Sequence, residues 1–248
     1  MKTAPVIFGC AGQQLSEAEH DFFARLQPCG FILFARNIED PDQLSRLVGE
    51  LKAGVEAEPL ILIDQEGGRV ARLKPPLWPL YRPWRDFGDL ARHDAEAGAR
   101  AAYLNARLIG DDLAQLGITV DCLPVLDVPV PGAHDIIGDR AFAEEPETVM
   151  QIGRKVCEGL MDSGVLPTIK HIPGHGRAGV DSHEALPRVT ESREVLEKTD
   201  FAPFAALCDM PIAMTAHIVF EALDPAQPVT TSSTMIDLIR KDIGFDGL

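Results

Sequence analysis

Apolar and polar residues along this chain fall into a repeating unit: a helix-start signal, an amphipathic stretch, a glycine, then a short run rich in β-branched residues. Ser16 and Glu19 form a capping box ahead of Phe22, Phe23 and Leu26, and the run Gly30-Phe31-Ile32-Leu33-Phe34 follows. Asp40-Pro41 starts a second helix that carries Leu44, Leu47, Val48 and Leu51, stops at Gly54 and leads to Leu60-Ile61-Leu62-Ile63. A long helical segment from about Asp89 to Gly117 precedes Ile118-Thr119-Val120-Asp121-Cys122-Leu123. Another, from Pro146 to Gly164, precedes Val165-Leu166-Pro167-Thr168-Ile169. A segment from Ser192 to Cys208 leads to Pro211-Ile212-Ala213-Met214-Thr215. The helix after Ser232 and Ser233 stops at Gly244, and Phe245-Asp246-Gly247-Leu248 opens one more strand.

Strands that alternate with helices imply right-handed βαβ units and a mainly parallel sheet. The apolar runs are nearly continuous, so both sheet faces are expected to be covered. The polar, Pro-rich stretch from Lys74 to Arg85 reads as a surface loop. Polar residues follow nearly every strand (Arg36-Asn37, Asp64, Asp127, Lys170-His171, His217), as a ring-shaped site at one end of a TIM-type barrel requires. That favours a barrel over a doubly wound sheet. Counted from Phe31, the pattern gives five strands and the start of a sixth, whereas a closed barrel of this type has eight. The chain is therefore expected to be a fragment, or to close with fewer units.

Composition narrows the function. The chain has 248 residues, 46% hydrophobic and 25% charged, and no linker divides it. A formal charge of −15 argues against a nucleic-acid partner, because phosphate binding needs a basic face. Cys10, Cys29, Cys122, Cys157 and Cys208 are scattered without ligand-like spacing and read as free thiols in a reducing compartment. Val6-Ile7-Phe8-Gly9 before Cys10 is too short for a signal core, and no stretch approaches a membrane span. A cytoplasmic protein without a membrane partner is expected.

The densest chemistry lies in Lys170-His171-Ile172-Pro173-Gly174-His175-Gly176, followed by Asp181-Ser182-His183. Cations, proton carriers and flexible glycines meet there as a strand passes into a loop. Lys170 and His171 leave an ideal strand on opposite faces, unless Pro173 and Gly174 bend it. Asp181 beside His183 can orient the ring, which makes His183 a general acid/base candidate. An alternative is a metal site of His171, His175, Asp181 and His183. Asp64 and Glu66, two apart at a strand end, share a side; Asp64 suits ligand hydroxyls, and Arg69 or Arg72 is placed to hold Glu66. Arg72 and Arg140, the latter in Ile136-Ile137-Gly138-Asp139-Arg140, are candidates for oxygen-rich ligands.

Taken together, Asp64-Gln65-Glu66-Gly67-Gly68-Arg69-Val70, the 170–176 motif and Asp181-Ser182-His183 resemble glycoside hydrolase family 3. The likeness extends through Ile32-Leu33-Phe34-Ala35-Arg36-Asn37, Pro124-Val125-Leu126-Asp127-Val128 and Gly244-Phe245-Asp246-Gly247. It is strongest to the bacterial cytoplasmic β-N-acetylglucosaminidase branch, which trims cell-wall muropeptides during recycling. The resemblance implies a (β/α)8 barrel and a retaining double displacement. His183 with Asp181 would be the acid/base, and Asp64, Arg72, Arg140, Lys170 and His171 would bind the sugar. His175 would shape the loop. No cofactor or metal is implied, the substrate is a small carbohydrate of the GlcNAc-anhydroMurNAc type, and a monomer is expected. Residues 1–248 would form one N-terminal barrel domain, truncated at the C-terminus. The family's nucleophilic Asp is expected beyond Leu248, so that this chain alone would be inactive. A non-catalytic sugar-binding relic is a further alternative.

Overall fold

The computed structural model describes residues 3–180 and 185–248. Strands β1 (Ala4–Phe8), β2 (Pro28–Leu33), β3 (Leu60–Ile63), β4 (Val120–Asp121) and β5 (Leu166–Ile172) are followed by a short β6 (Arg188–Val189). After these come β7 (Ile212–Thr215) and β8 (Val219–Phe220). The main sheet runs β1-β2-β3-β4-β5-β7, every pair parallel, and β6 with β8 makes a separate two-stranded parallel ribbon. This is a parallel α/β half-barrel. Leu248 exchanges backbone hydrogen bonds with Pro211 and Ala213, each 3.0 Å, so the run after Gly244 lies alongside β7 as the pattern implied.

The count from Phe31 begins one strand late. Ala4–Phe8 pairs with β2: the short apolar run Val6-Ile7-Phe8, weighed in the sequence only as a signal core, is a strand whose residues alternate between half-buried and exposed. Alternation of this kind marks a strand covered on one face.

Helices α1 (Glu17–Leu26) and α2 (Pro41–Ala53) start where their caps dictate. The Ser16 hydroxyl accepts from the Glu19 amide while Glu19 accepts from the Ser16 amide, and Asp40 accepts from the Gln43 amide at 2.8 Å. The expected single helix after Asp89 is two helices, α3 (Arg85–His93) and α4 (Ala95–Gln115). Asp94 causes the break: its extended backbone ends α3, and its carboxylate caps α4 through the Ala97 amide at 3.0 Å. The segment after Ser192 likewise divides into α6 (Arg193–Lys198) and α7 (Ala202–Ala206), following α5 (Pro146–Asp162) in the chain. The final helix, α8 (Ser233–Leu238), runs into a π-turn that Gly244 ends at φ +82°.

Small residues let the outer helices approach. A Cβ on Gly159 of α5 would lie 2.5 Å from the Tyr103 carbonyl of α4, and one on Gly88 of α3 would lie 1.7 Å from the Phe142 carbonyl. All five cysteines are free, with Cys10, Cys122 and Cys157 buried. Among the described residues no helix is long and apolar enough to cross a membrane. Gly88→Ala sets a propensity gain of about 1 kcal/mol against overpacking on a backbone carbonyl, which costs about 1–3 kcal/mol. Overpacking is expected to win. Urea unfolding should show a net loss, and an unchanged or raised midpoint would contradict this docking.

Candidate active site

The polar strand ends converge on one cavity of about 350 Å³, a size that suits a small ligand. Asp64, Glu66, Arg72, Arg140, Lys170, His171, His175 and His217 line it, together with Val70, Ile136, Ile137, Met214 and Thr215. Arg36 and Asn37 do not join them: Asn37 is fully buried and donates to the carbonyls of Cys10 (3.1 Å) and Gly12 (2.8 Å), tying down the loop after β1.

Asp64 and Glu66 follow β3 and both reach Lys170 near the end of β5. The Lys170 ammonium, 1% exposed, lies 2.9 Å from Asp64 Oδ1 and 2.5 Å from Glu66 Oε1. Arg140 clamps the same Glu66 with two parallel bonds, Nε to Oε2 and Nη2 to Oε1, both 2.8 Å. Arg69 and Arg72, expected near Glu66, go elsewhere. Arg69 reaches Asp135 (3.1 Å) and Asp139 (3.0 Å), while Arg72 Nη2 lies 3.4 Å from Asp64 Oδ2. Sequence reasoning gave Glu66 no settled partner, and no local spacing reveals that it joins two cations 74 and more positions away.

Gln65, unnoticed in the sequence, shapes the turn between them. Its side-chain oxygen accepts from the Arg72 (2.8 Å) and Leu73 (2.9 Å) amides, and its Nε2 donates to the Leu73 carbonyl (3.1 Å). This folds residues 65–73 back and returns Arg72 to the cavity. The Gln65 amide donates to buried Asp121, whose carboxyl burial pushes well above the usual range.

The loop leaving β5 is equally determined. Both Lys170 and His171 line the cavity, and the irregularity that accompanies this is a register slip with β7 between Lys170 and Ile172, ahead of the Pro173-Gly174 bend that the sequence suggested. Gly174 (φ +145°) packs against Asp200, and a Cβ on Gly176 would lie 1.9 Å from the Val128 carbonyl, so the motif's glycines serve close backbone approach. Arg177 anchors the loop to Asp200 (2.7 Å) and Glu191 (3.3 Å). Asp181 and His183 lie outside the described residues. Among the described residues no group of three or more His, Cys, Asp or Glu is placed to hold a metal ion.

Burial would push the Glu66 carboxyl up, but the Lys170 charge and the Arg140 fork more than offset this and hold it at about 2. Burial likewise opposes the charge on Lys170, yet Glu66 and Asp64 raise it above the usual ammonium range.

The sequence and the fold match known proteins. The glycosyl hydrolase family 3 N-terminal domain matches residues 6–248. The chain belongs to glycosyl hydrolase family 3. A beta-hexosaminidase from Alkalilimnicola ehrlichii is 36% identical over 250 residues, covering 100% of this chain and 71% of its own. NagZ from Neisseria gonorrhoeae superposes with a TM-score of 0.94 in two solved structures. The one in complex with N-trifluoroacetyl-D-glucosamine is 34% identical, and the one with zinc ion 33%; each covers 99% of this chain and 73% of the other. The family is one of glycoside hydrolases, and the curated relatives are beta-hexosaminidases.

The depressed Glu66 value has a consequence for stability. A carboxyl lowered on folding stabilises fully above its unfolded value of 4.5, and that contribution is lost as pH falls toward about 2. The shift corresponds to about 3 kcal/mol, within the range for breaking a buried pair. Glu66→Gln should lose about this much at pH 7 by chemical denaturation and flatten the acid limb between pH 4.5 and 2. An unchanged acid limb would show that the pair does not carry it.

Proposed function

We propose that this chain supplies the sugar-binding cavity and the His183/Asp181 acid/base of a β-N-acetylglucosaminidase that acts on terminal, non-reducing N-acetylglucosamine of muropeptides, in cytoplasmic peptidoglycan recycling. The observation that carries the reading is the Asp64 carboxylate in a cavity of sugar-binding size, set between Lys170 and Arg72. Its side chain retains 18% exposure, so its oxygens remain within reach of hydroxyl donors. His171 and the cationic edges of Arg72, Arg140 and Lys170 offer further polar contacts around the ring. The relative solved with N-trifluoroacetyl-D-glucosamine supports this substrate class.

In the proposed retaining cycle a carboxylate attacks C1 while His183, steered by Asp181, gives its proton to the leaving oxygen. Water then attacks C1, breaking the glycosyl–carboxylate bond and releasing the nucleophile as a carboxylate, while the water's proton passes to His183. None of the described carboxylates at the cavity is free for the nucleophilic role. Asp64 and Glu66 are held by Lys170, Arg72 and Arg140. We assign the nucleophile to the family position after Gly244-Phe245-Asp246-Gly247.

Isothermal titration with N-acetylglucosamine should show binding that Asp64→Asn weakens about tenfold or more, the loss of one charged hydrogen bond. A chelator should leave the binding unchanged. Equal affinity in the variant would remove Asp64 from the site, and loss on chelation would favour the metal-dependent reading. Incubation of the 248-residue chain with a slow mechanism-based fluorosugar should give no adduct by intact mass. A stoichiometric adduct would overturn the assignment of the nucleophile.

A further inference from the structure

Behind His171 lies a carboxylate to which the sequence, as a strand-end residue and part of the 124–128 motif, assigned no role. Asp127 is 0% exposed and does not line the cavity. Its two oxygens are divided between two tasks. Oδ1 accepts the backbone amides of His171 (3.2 Å) and His175 (2.7 Å), which holds the chain on both sides of Pro173-Gly174. Oδ2 faces the His171 ring at 2.6 Å from Nδ1.

We infer that Asp127 is a positioning residue that fixes the proton of His171 on Nδ1, so that Nε2 is turned to the cavity as the ring's ligand-facing atom. An ionised carboxylate accepts and cannot donate, so the proton between them belongs to the ring. Burial would raise the Asp127 carboxyl, but His171 and the amides around it hold it below the usual range, which keeps it an acceptor. A ring with one nitrogen committed in this way has its orientation and its second nitrogen's role set together.

His175 completes the arrangement. Its ring, 4% exposed, stands 5.6 Å from that of His171 at 56°, and among the described residues neither of its nitrogens has a hydrogen-bond partner. Burial lowers its pKa, so it stands beside His171 as a neutral wall rather than a competing cation. This role of Asp127 rests on the proposed part of His171 in holding the sugar.

The test exploits the two oxygens. Asparagine at position 127 has one carbonyl oxygen. Placing it at the two backbone amides saves two hydrogen bonds, and its NH2 then faces His171 Nδ1. The ring must accept there and carry its proton on Nε2. Long-range ¹⁵N–¹H correlation spectra of ¹⁵N-histidine-labelled chain should show Nδ1–H at His171 in the wild type and Nε2–H in Asp127→Asn. N-acetylglucosamine affinity should fall about tenfold or more in the variant. Retention of Nδ1–H in a folded Asp127→Asn, or unchanged affinity alongside the switch, would overturn the inference. If the variant does not fold, the wild type decides: His171 with its proton on Nε2 alone is incompatible with it. His171→Ala separates the underlying reading. Undiminished affinity there would sink the sugar contact itself, whereas the tautomer result speaks to Asp127 regardless.

Discussion

An ammonium group withdrawn from water organises this molecule. Lys170 is 1% exposed, and a lone buried charge of that kind would be strongly destabilising. It is tolerable because Glu66 and Asp64 reach it from β3, two strands away across β4, and because Arg140 takes the remaining face of Glu66. Each member satisfies the others, and removing any one leaves a buried charge unmatched. The cluster thereby sets the separation of the strand ends and the shape of the cavity above them.

Several features of the surrounding chain follow from that requirement. Gln65 folds residues 65–73 back so that Arg72 comes to the outer side of Asp64. The short turn at Gly138–Arg140 is held by the Arg140 fork on Glu66 and by its bond to the Ile136 carbonyl at 3.0 Å. On the far side of Lys170, the loop after β5 presses Gly176 on the Val128 carbonyl and Gly174 on Asp200, while Asp127 gathers its amides. The result is a site whose charged groups are preoriented before any ligand arrives, which lowers the cost of ordering them on binding.

Much of this was legible in the sequence, and the exceptions have physical reasons. Caps at Ser16 and Asp40, and glycines at the helix ends, act within a few residues and are readable locally. Lys170, His171, Asp64, Arg72 and Arg140 all reach the cavity because strand ends in such a fold share an edge. Strand β1 was missed because its short apolar run has no helix-start signal ahead of it and borders Cys10 like a signal core, and the break at Asp94 because one carboxylate outweighs a continuous helical pattern. The partners of Glu66 and the grip of Asp127 on His171 span 44 to more than 70 positions, beyond what spacing along a chain encodes. Asp181 and His183 fall outside the described residues, so their acid/base role stays with the proposal.

In the proposed function this charge-matched cavity holds an N-acetylglucosamine ring. Mapping backbone and side-chain chemical shifts of the labelled chain during titration with N-acetylglucosamine tests it most directly. Saturable changes are expected to centre on Asp64, Arg72, Arg140, Lys170 and His171, with the outer faces of α3 to α5 unaffected. Saturation that leaves these five residues unperturbed, or the absence of any response to the sugar, would contradict it.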